Sequence, residues 1–222
     1  MHRFVTSGEF VFERQLKMTT PQEVFWKNEI SDTYVQSNLF FDKSLGLEAW
    51  SRMLSSIDKA EVTSYLDCGS NIGRNIAFLK SALPNASANI IELSEEPYKQ
   101  CLHSFEIDES FLGPIKGAKF NRRFDLVFTN VVLIHINPDD LLESMSRMYE
   151  LSSKYILIGE YFNRTPVMID YRGESDRLFK RDFGKLFVEN FNCKILDYGF
   201  LWGYEFDKAG FDDITYWLFE KI

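Results

Sequence analysis

Two acids and a bare turn carry the most chemistry in this 222-residue chain. The segment "TSYLDCGSNIGRNIAFLK", Thr63 to Lys80, passes from an apolar stretch into a helix-like one. Asp67 closes the apolar stretch, and Gly69 and Gly73 follow with Asn71 between them. Glycines let a ligand approach the backbone with no Cβ in the way. The start of the following helix offers unpaired N–H donors. A second acid, Glu92, lies in "SANIIEL" nineteen positions after Gly73. The two oxygens of a strand-end carboxylate suit a pair of ribose hydroxyls.

The turn separates two cofactor classes. A dinucleotide turn reads G-x-G-x-x-G, where three glycines admit a pyrophosphate. Here the order is Asp67-x-Gly69-x-Asn71-x-Gly73, followed by Arg74, Asn75 and Ile76, and the third glycine of that spacing is absent. An acid at the strand end repels a pyrophosphate and suits a positive group. S-adenosyl-L-methionine carries two such groups, an ammonium and a sulfonium. Glu92 fits NAD as well, so it does not discriminate alone.

The stretch from Asp67 to Gly73 resembles motif I of the class I S-adenosylmethionine-dependent methyltransferases. From Thr19 to Ile222 the chain is similar, more narrowly, to the pseudaminic acid biosynthesis-associated methylases. The strings "TPQEVFWKNEISDTYVQSN", "LDCGSNIG", "FDLVFTNVVLIHINPD", "YILIGEYFN", "YRGESDRLFKRDF" and "DDITYWLFEK" carry that likeness. The resemblance implies a seven-stranded sheet with the last strand antiparallel. It also implies that Asp67, Gly69, Asn71 and Gly73 line the methionine part and that Glu92 holds the ribose. The expected cofactor set further takes in Ser70, Leu93, Ile115, Asn130 and Val131. Three departures stand out. Asn71 replaces the usual central glycine, an expected Arg-Asn pair reads Ser37-Asn38, and the acid that often meets the adenine amine is missing from "GPIKGAKF". Adenine contact near Pro114 and Ile115 is then apolar or through backbone.

Acceptor chemistry belongs above the carboxyl ends of the fourth and fifth strands, where His135, Glu160 and Tyr161 are the catalytic candidates. His135 is either a general base near neutral pH or a structural histidine bonded to backbone. Glu160 is either a base or hydroxyl ligand, or a solvated strand-end acid. Tyr171, Arg172, Arg177 and Arg181 are the substrate-binding candidates. On a helix, Arg177 and Arg181 share a face at i, i+4 and form a clamp for a carboxylate or phosphate. The competing reading is a mixed-charge solvated helix in which Asp176 and Asp182 pair with the arginines. Phe25, Trp26 and Tyr34 form an aromatic stripe that reads as a lid, with Phe25 better suited to core packing. Trp26, Tyr34 and Asn38 then join the cofactor set. Asp212 and Asp213 either border the acceptor pocket or cap a turn.

These residues need a scaffold that brings strand ends together. In "TTPQEVFWKNEI", Thr20 is an N-cap, Pro21 suits the first helical position and Glu23 closes a capping box. Residues 39–58 read as a second helical region. From about residue 61, strands and helices alternate, which implies a parallel sheet with right-handed crossovers. A helix is expected over 174–191. The short link 203–212 joins the last two strands as a hairpin, so one edge strand should run antiparallel. The fold class is α/β, a doubly wound, mostly parallel seven-stranded sheet of Rossmann-like methyltransferase type with an N-terminal helical lid. The expected organisation is an extension over 1–18, a lid over 19–60 and a cofactor-binding domain over 61–222.

Composition narrows the partners. A net charge of −8 repels phosphate backbones, and the "N-P-P-Y" signature of base methylation is absent because Val131-Val132-Leu133 follows Asn130. Nucleic acid is therefore not the expected partner. Cys68, Cys101 and Cys193 are odd in number and far apart, which argues for a reduced, cytoplasmic protein without a disulfide framework. Neither they nor His2, His103 and His135 make a metal motif. No apolar run approaches the ~20 residues of a membrane span. The expected reaction is methyl transfer from S-adenosyl-L-methionine to a sugar or nonulosonic acid derivative of surface-glycan synthesis. The alternatives are a cofactor-binding module without turnover, a methyltransferase for another metabolite, and a nicotinamide-dependent oxidoreductase. No oligomeric state is implied.

Overall fold

The computed structural model describes residues 19–28, 41–171 and 173–222. The 1–18 extension, Tyr34, Asn38 and Arg172 lie outside the described residues. Helix α1 spans Pro21–Asn28. Its capping box forms: Glu23 N–H donates to Thr20 Oγ1 at 3.2 Å, and Thr20 N–H donates to Glu23 Oε2 at 3.3 Å. Helix α2 spans Lys43–Met53, with Asp42 as its N-cap accepting from the Ser44 and Leu45 N–H groups.

Alternation then follows: β1 (Ser64–Cys68), α3 (Arg74–Ala82), β2 (Ser87–Glu92), α4 (Glu95–Ser104), β3 (Glu109–Leu112), β4 (Phe124–Asn130), α5 (Pro138–Leu151) and β5 (Ser152–Glu160). Downstream come β6 (Val167–Tyr171), β7 (Glu174–Lys180), α6 (Phe183–Asn190), β8 (Cys193–Leu201), α7 (Gly203–Phe206) and β9 (Ile214–Lys221). The described residues build a seven-stranded sheet in the order β3-β2-β1-β4-β5-β9-β8. The first five strands run parallel, and β9 runs antiparallel to both its neighbours. Strand β1 is buried along its whole length, as a parallel strand covered on both faces must be. Trp50 and Met53 of α2 and Ile76 and Leu79 of α3 pack one core against Tyr65 and Phe128. Met145 and Met148 of α5 and Phe183 and Phe187 of α6 pack the other against Leu66 and Val127. The sheet is doubly wound, and β1 sits where its order reverses, between β2 and β4. Ligand crevices open at such a point, outside the carboxyl ends of the strands.

Two expectations are corrected. The helix over 174–191 is a strand followed by a shorter helix: β7 pairs antiparallel with β6 as a separate two-stranded ribbon, and only α6 is helical. The charged side chains suggested a helical face. Backbone pairing of Met168 with Phe179 and Ile169 with Leu178 decided otherwise. Leu178 and Phe179 are buried by that arrangement, so packing outweighs local propensity. Arg177 and Arg181 therefore share no helical face. The second correction concerns the last hairpin. Strand β9 returns into the interior of the sheet between β5 and β8, so the antiparallel strand is not at the edge. The 203–212 link carries α7 and a 3₁₀ turn, Asp207–Ala209.

Candidate active site

A cavity of about 470 Å³ opens at the carboxyl ends of β1, β2 and β4, beneath α1. The turn after β1 forms its floor. Gly69 has φ +92° and Gly73 φ +88°, and Asn71 also lies in the left-handed region at φ 49°. Gly69 and Ser70 N–H groups both donate to Ile91 O, at 2.7 and 3.1 Å. A Cβ at Gly69 would meet Val132 Cγ2 at 2.6 Å, so two loops close on the bare backbone. Asparagine tolerates the left-handed conformation better than other side chains, and Asn71 Oδ1 accepts the Ile72 N–H at 2.7 Å. That accounts for an asparagine where the motif it resembles usually has a glycine.

Glu92 stands at the tip of β2, buried, and lines the cavity. Its Oε2 accepts the Asn71 N–H at 2.7 Å, and its Oε1 accepts the Ser94 N–H at 2.8 Å. A carboxylate has about four acceptor sites, so Glu92 keeps acceptor capacity for a ligand. Burial raises its pKa, and the N–H groups of Ser94, Asn71 and Leu93 pull it back. Ser70, Asn71, Leu93, Ile115, Asn130 and Val131 also line the cavity.

Asp67 and Gly73 do not line it. Asp67 is fully buried, and its Oδ2 receives Asn75 Nδ2 at 3.5 Å. Asn75 does line the cavity, and its Oδ1 accepts from Asn130 Nδ2 at 3.1 Å. Asp67 thus meets the cavity only from behind the Asn75 amide. Burial pushes its carboxyl up to about 8, the Asn75 amide draws it down, and the Glu92 charge adds to the rise. Its Oδ1 meets no hydrogen-bond partner. Gly73 serves packing: a Cβ there would press on Phe105 and Cys101 Sγ.

His135 lines the other wall. Its Nδ1 lies 2.8 Å from Arg177 O on β7. A carbonyl oxygen cannot donate, so Nδ1 carries the hydrogen and Nε2 keeps a lone pair. Burial pushes its pKa down to about 4, against a rise from the Arg177 carbonyl. The ring is neutral near pH 7 and lies 4.3 Å from the Trp26 ring and 5.4 Å from Tyr171. Tyr161 donates to Asp212 Oδ2 at 2.9 Å, and both line the cavity with Asp207. Asp213 does the turn work instead, accepting the Gly203 N–H at 2.9 Å.

Three candidates stand elsewhere. Glu160 is fully buried, is not solvated and does not reach the cavity; its oxygens accept the N–H groups of Val132, Leu133 and Ile134. Arg177 pairs with Asp176 and Glu174 and covers the Phe25 ring. Arg181 lies over Phe183. Neither arginine lines the cavity, whereas Tyr171 does.

Helix α1 crosses the cavity and is tied down at several points. Ser94 Oγ donates to Trp26 O at 2.6 Å. Gln22 Nε2 donates to Asp176 O at 2.9 Å, and Gln22 Oε1 accepts from Asn137 at 2.9 Å. Lys116 bridges Glu23 at 3.1 Å and Asp140 at 2.5 Å, all three largely buried. Phe25 is buried, and Trp26 lines the cavity. Gln22, Lys116, Asn137 and Asp140 escaped the sequence reading because no local spacing links them. Arg74, also a lining residue, was next to the turn and could have been read as a helix-start cation. Among the described residues no group of His, Cys, Asp and Glu could hold a metal ion, and no helix is long and apolar enough to cross a membrane.

The sheet order, with its antiparallel β9, matches many solved structures. Coclaurine N-methyltransferase bound to N-methylheliamine and SAH superposes with a TM-score of 0.69 at 13% identity, over 94% of this chain and 84% of that one. The fold is that of the class I S-adenosylmethionine-dependent methyltransferases. Burkholderia thailandensis 1,6-didemethyltoxoflavin-N1-methyltransferase, with S-adenosylhomocysteine bound, gives 0.62 at 15% identity over 81% of this chain and 79% of that one. An amino pentose methyltransferase from Micromonospora echinaspora, with SAM bound, gives 0.59 at 9% identity over 81% of this chain and 91% of that one. No protein-family model matches the chain, and no curated protein matches it in sequence.

Two outcomes are expected from these contacts. Lys116→Met leaves Glu23 and Asp140 facing each other without a cation, which should cost roughly 3 kcal/mol and expose α1 to limited proteolysis; an unchanged cleavage rate would contradict the tether. Asp67 has a folded pKa above its unfolded one, so its contribution is complete below about pH 3.8 and is lost as pH rises to about 8. Asp67→Asn should therefore raise the melting temperature of the unliganded protein at pH 8 while having little effect at pH 4, measured by calorimetry.

Proposed function

We propose that the chain transfers a methyl group from S-adenosyl-L-methionine to a small, polar, sugar-like acceptor. The observation that carries the cofactor is Glu92, a carboxylate fixed by loop N–H groups that still lines the cavity with acceptor capacity to spare. The cofactor fits the rest of the site. The turn Gly69-Ser70-Asn71 faces the cavity with its backbone, and the buried Asp67 carboxyl, short of hydrogen bonds, suits a nearby cation. Pro114 and Ile115 present an apolar wall for a purine. When bound, the cofactor supplies an electrophilic methyl on a sulfonium.

The chain's own residues then have three tasks. Alignment comes first, since holding reactants in line can contribute roughly 7–11 kcal/mol. Helix α1, tied to the core through Gln22 and Glu23, excludes water. His135 Nε2, with its free lone pair, accepts the hydrogen of the acceptor hydroxyl or amine and so orients the nucleophile. Its low pKa keeps it unprotonated for that role, at the expense of base strength. Tyr161, Asp207 and Asp212 form the acceptor end. Carboxylates there accept from sugar hydroxyls or amines, and Tyr171 offers an apolar ring face.

A nonulosonic acid or its nucleotide-linked form, suggested by the resemblance to pseudaminic acid-associated methylases, would place negative charge beside those carboxylates. Since Arg177 and Arg181 are engaged elsewhere, neutral or amino sugars fit the acceptor end better. The Micromonospora neighbour, an amino pentose methyltransferase, lends support to that class. Free cysteines at 68, 101 and 193 suit a reducing, cytoplasmic setting.

Titration calorimetry with S-adenosylhomocysteine should give saturable binding that weakens about a hundredfold in Glu92→Ala, the loss of two charge-assisted hydrogen bonds. Label transfer from the methyl-labelled cofactor should then favour amino and neutral sugars over nonulosonic acids. Equal affinity in the variant would overturn the cofactor site. Binding without transfer to any acceptor would favour a non-catalytic module.

A further inference from the structure

Glu160 has a carboxylate that the reaction above does not use. It closes β5 at zero exposure. Its Oε1 accepts the Val132 N–H at 3.1 Å and the Leu133 N–H at 2.9 Å, and its Oε2 accepts the Ile134 N–H at 3.3 Å. Three consecutive backbone donors thus converge on one side chain. Immediately before them stands Val131, at φ 59°. A β-branched residue in the left-handed region is a genuine outlier, and such strain, of order 1–3 kcal/mol, persists only where surroundings over-determine it.

The surroundings here are specific. Val131 N–H donates to Gly159 O at 2.8 Å, so the backbone stays in register up to the residue before Glu160. The next three N–H groups then bend onto the Glu160 side chain. Beyond them, His135 N–H donates to Val132 O at 2.9 Å and closes the short 3₁₀ turn. Leu133 and Ile134 are buried, so their amides have no water to replace the carboxylate. The residues this turn delivers, Val131, Val132 and His135, all line the cavity. Val132 is also the side chain seated over the bare Gly69 backbone.

We propose that Glu160 is a positioning residue that holds the strained turn after β4, and thereby sets where Val132 and His135 meet the ligand. Its functional half rests on the methyltransferase reading; its structural half does not. The mechanism makes a sharp demand. If the clamp works against strain at Val131, then a glycine there, which adopts positive φ freely, must make the clamp less necessary for position.

The test is a double-mutant cycle of Glu160→Gln and Val131→Gly. The glutamine keeps the shape but leaves one oxygen for three donors. In the parent background, Glu160→Gln should weaken S-adenosylhomocysteine binding at least tenfold. In the Val131→Gly background the same change should weaken it less than threefold. Thermal stability should fall in both, because the amides lose partners either way. NMR titration of the His135 ring supplies a readout free of any ligand. Burial holds its pKa at about 4 in the parent chain, against a rise from the Arg177 carbonyl, so it should climb toward the ordinary histidine value in Glu160→Gln as the displaced turn lets water reach the ring. It should stay low when Val131→Gly is also present. Equal losses in both backgrounds, or a His135 titration that Glu160→Gln does not move, would overturn the proposal. If Glu160→Gln fails to fold alone, the double variant should recover folding, and its failure to do so counts against the clamp. If the parent chain binds no S-adenosylhomocysteine, the methyltransferase reading falls, and the histidine titration still decides the clamp.

Discussion

Buried carboxylates accepting backbone N–H groups give this site its shape. Parallel strands end in loops whose amides point toward the cavity, and those amides need partners when water is excluded. Glu92 meets that need for Asn71 and Ser94, and Glu160 meets it for Val132, Leu133 and Ile134. In both cases a neighbouring residue sits in the left-handed region, Asn71 or Val131. The two acids differ in what they have left over. Glu92 reaches the cavity and retains acceptor capacity for a ligand. Glu160 is sealed, and its hydrogen bonds go to the loop. The same chemistry at two strand ends thus separates into ligand binding and loop fixing according to exposure alone.

Much of this was legible in the chain itself. Alternation of apolar and helical runs defined β1, β2, β4 and β5, because each strand is covered on both faces and reads as a continuous apolar stretch. The Asp67–Gly73 spacing and Glu92 marked the crevice because a turn with positive φ demands glycine or asparagine. Thr20, Pro21 and Glu23 marked α1 because capping is a local interaction. Each of these signals lies within a few residues of the feature it specifies.

What stayed hidden depends on contacts across the chain. "ESDRLFK" carries charges that mimic a helical face, and only pairing with "VMIDY" makes it β7. Nothing near β9 tells it to insert between β5 and β8. Lys116 finds Glu23 and Asp140 only after three segments pack. Glu160 looked like a chemical group because strand-end acids in open sheets face ligands. The deciding fact was the bend of the chain after Asn130, which places three amides over the carboxylate. Arg177 was read as a ligand clamp, yet its own neighbours Asp176 and Glu174 take it up. Its backbone carbonyl, which carries no sequence signal, is the part that bears on the site through His135.

The placement of charge then argues for what the cavity holds. Glu23, Lys116 and Asp140 neutralise one another in part at the end beneath α1, leaving Asp67 and Glu92 near the bare turn and Asp207 and Asp212 at the mouth. Arg74 also lines the cavity, and its charge acts on Asp67. A dinucleotide would bring phosphates into this field, and the chain offers no third glycine to receive them. A ligand with positive centres meets it better, since the acids favour an ammonium and a sulfonium. Transfer removes the sulfonium charge and leaves a neutral thioether, so an acidic cavity holds the product less firmly than the substrate. That difference assists product release. The raised pKa of Asp67 has a different origin, its complete burial, which the Asn75 amide and the Arg74 charge only partly offset.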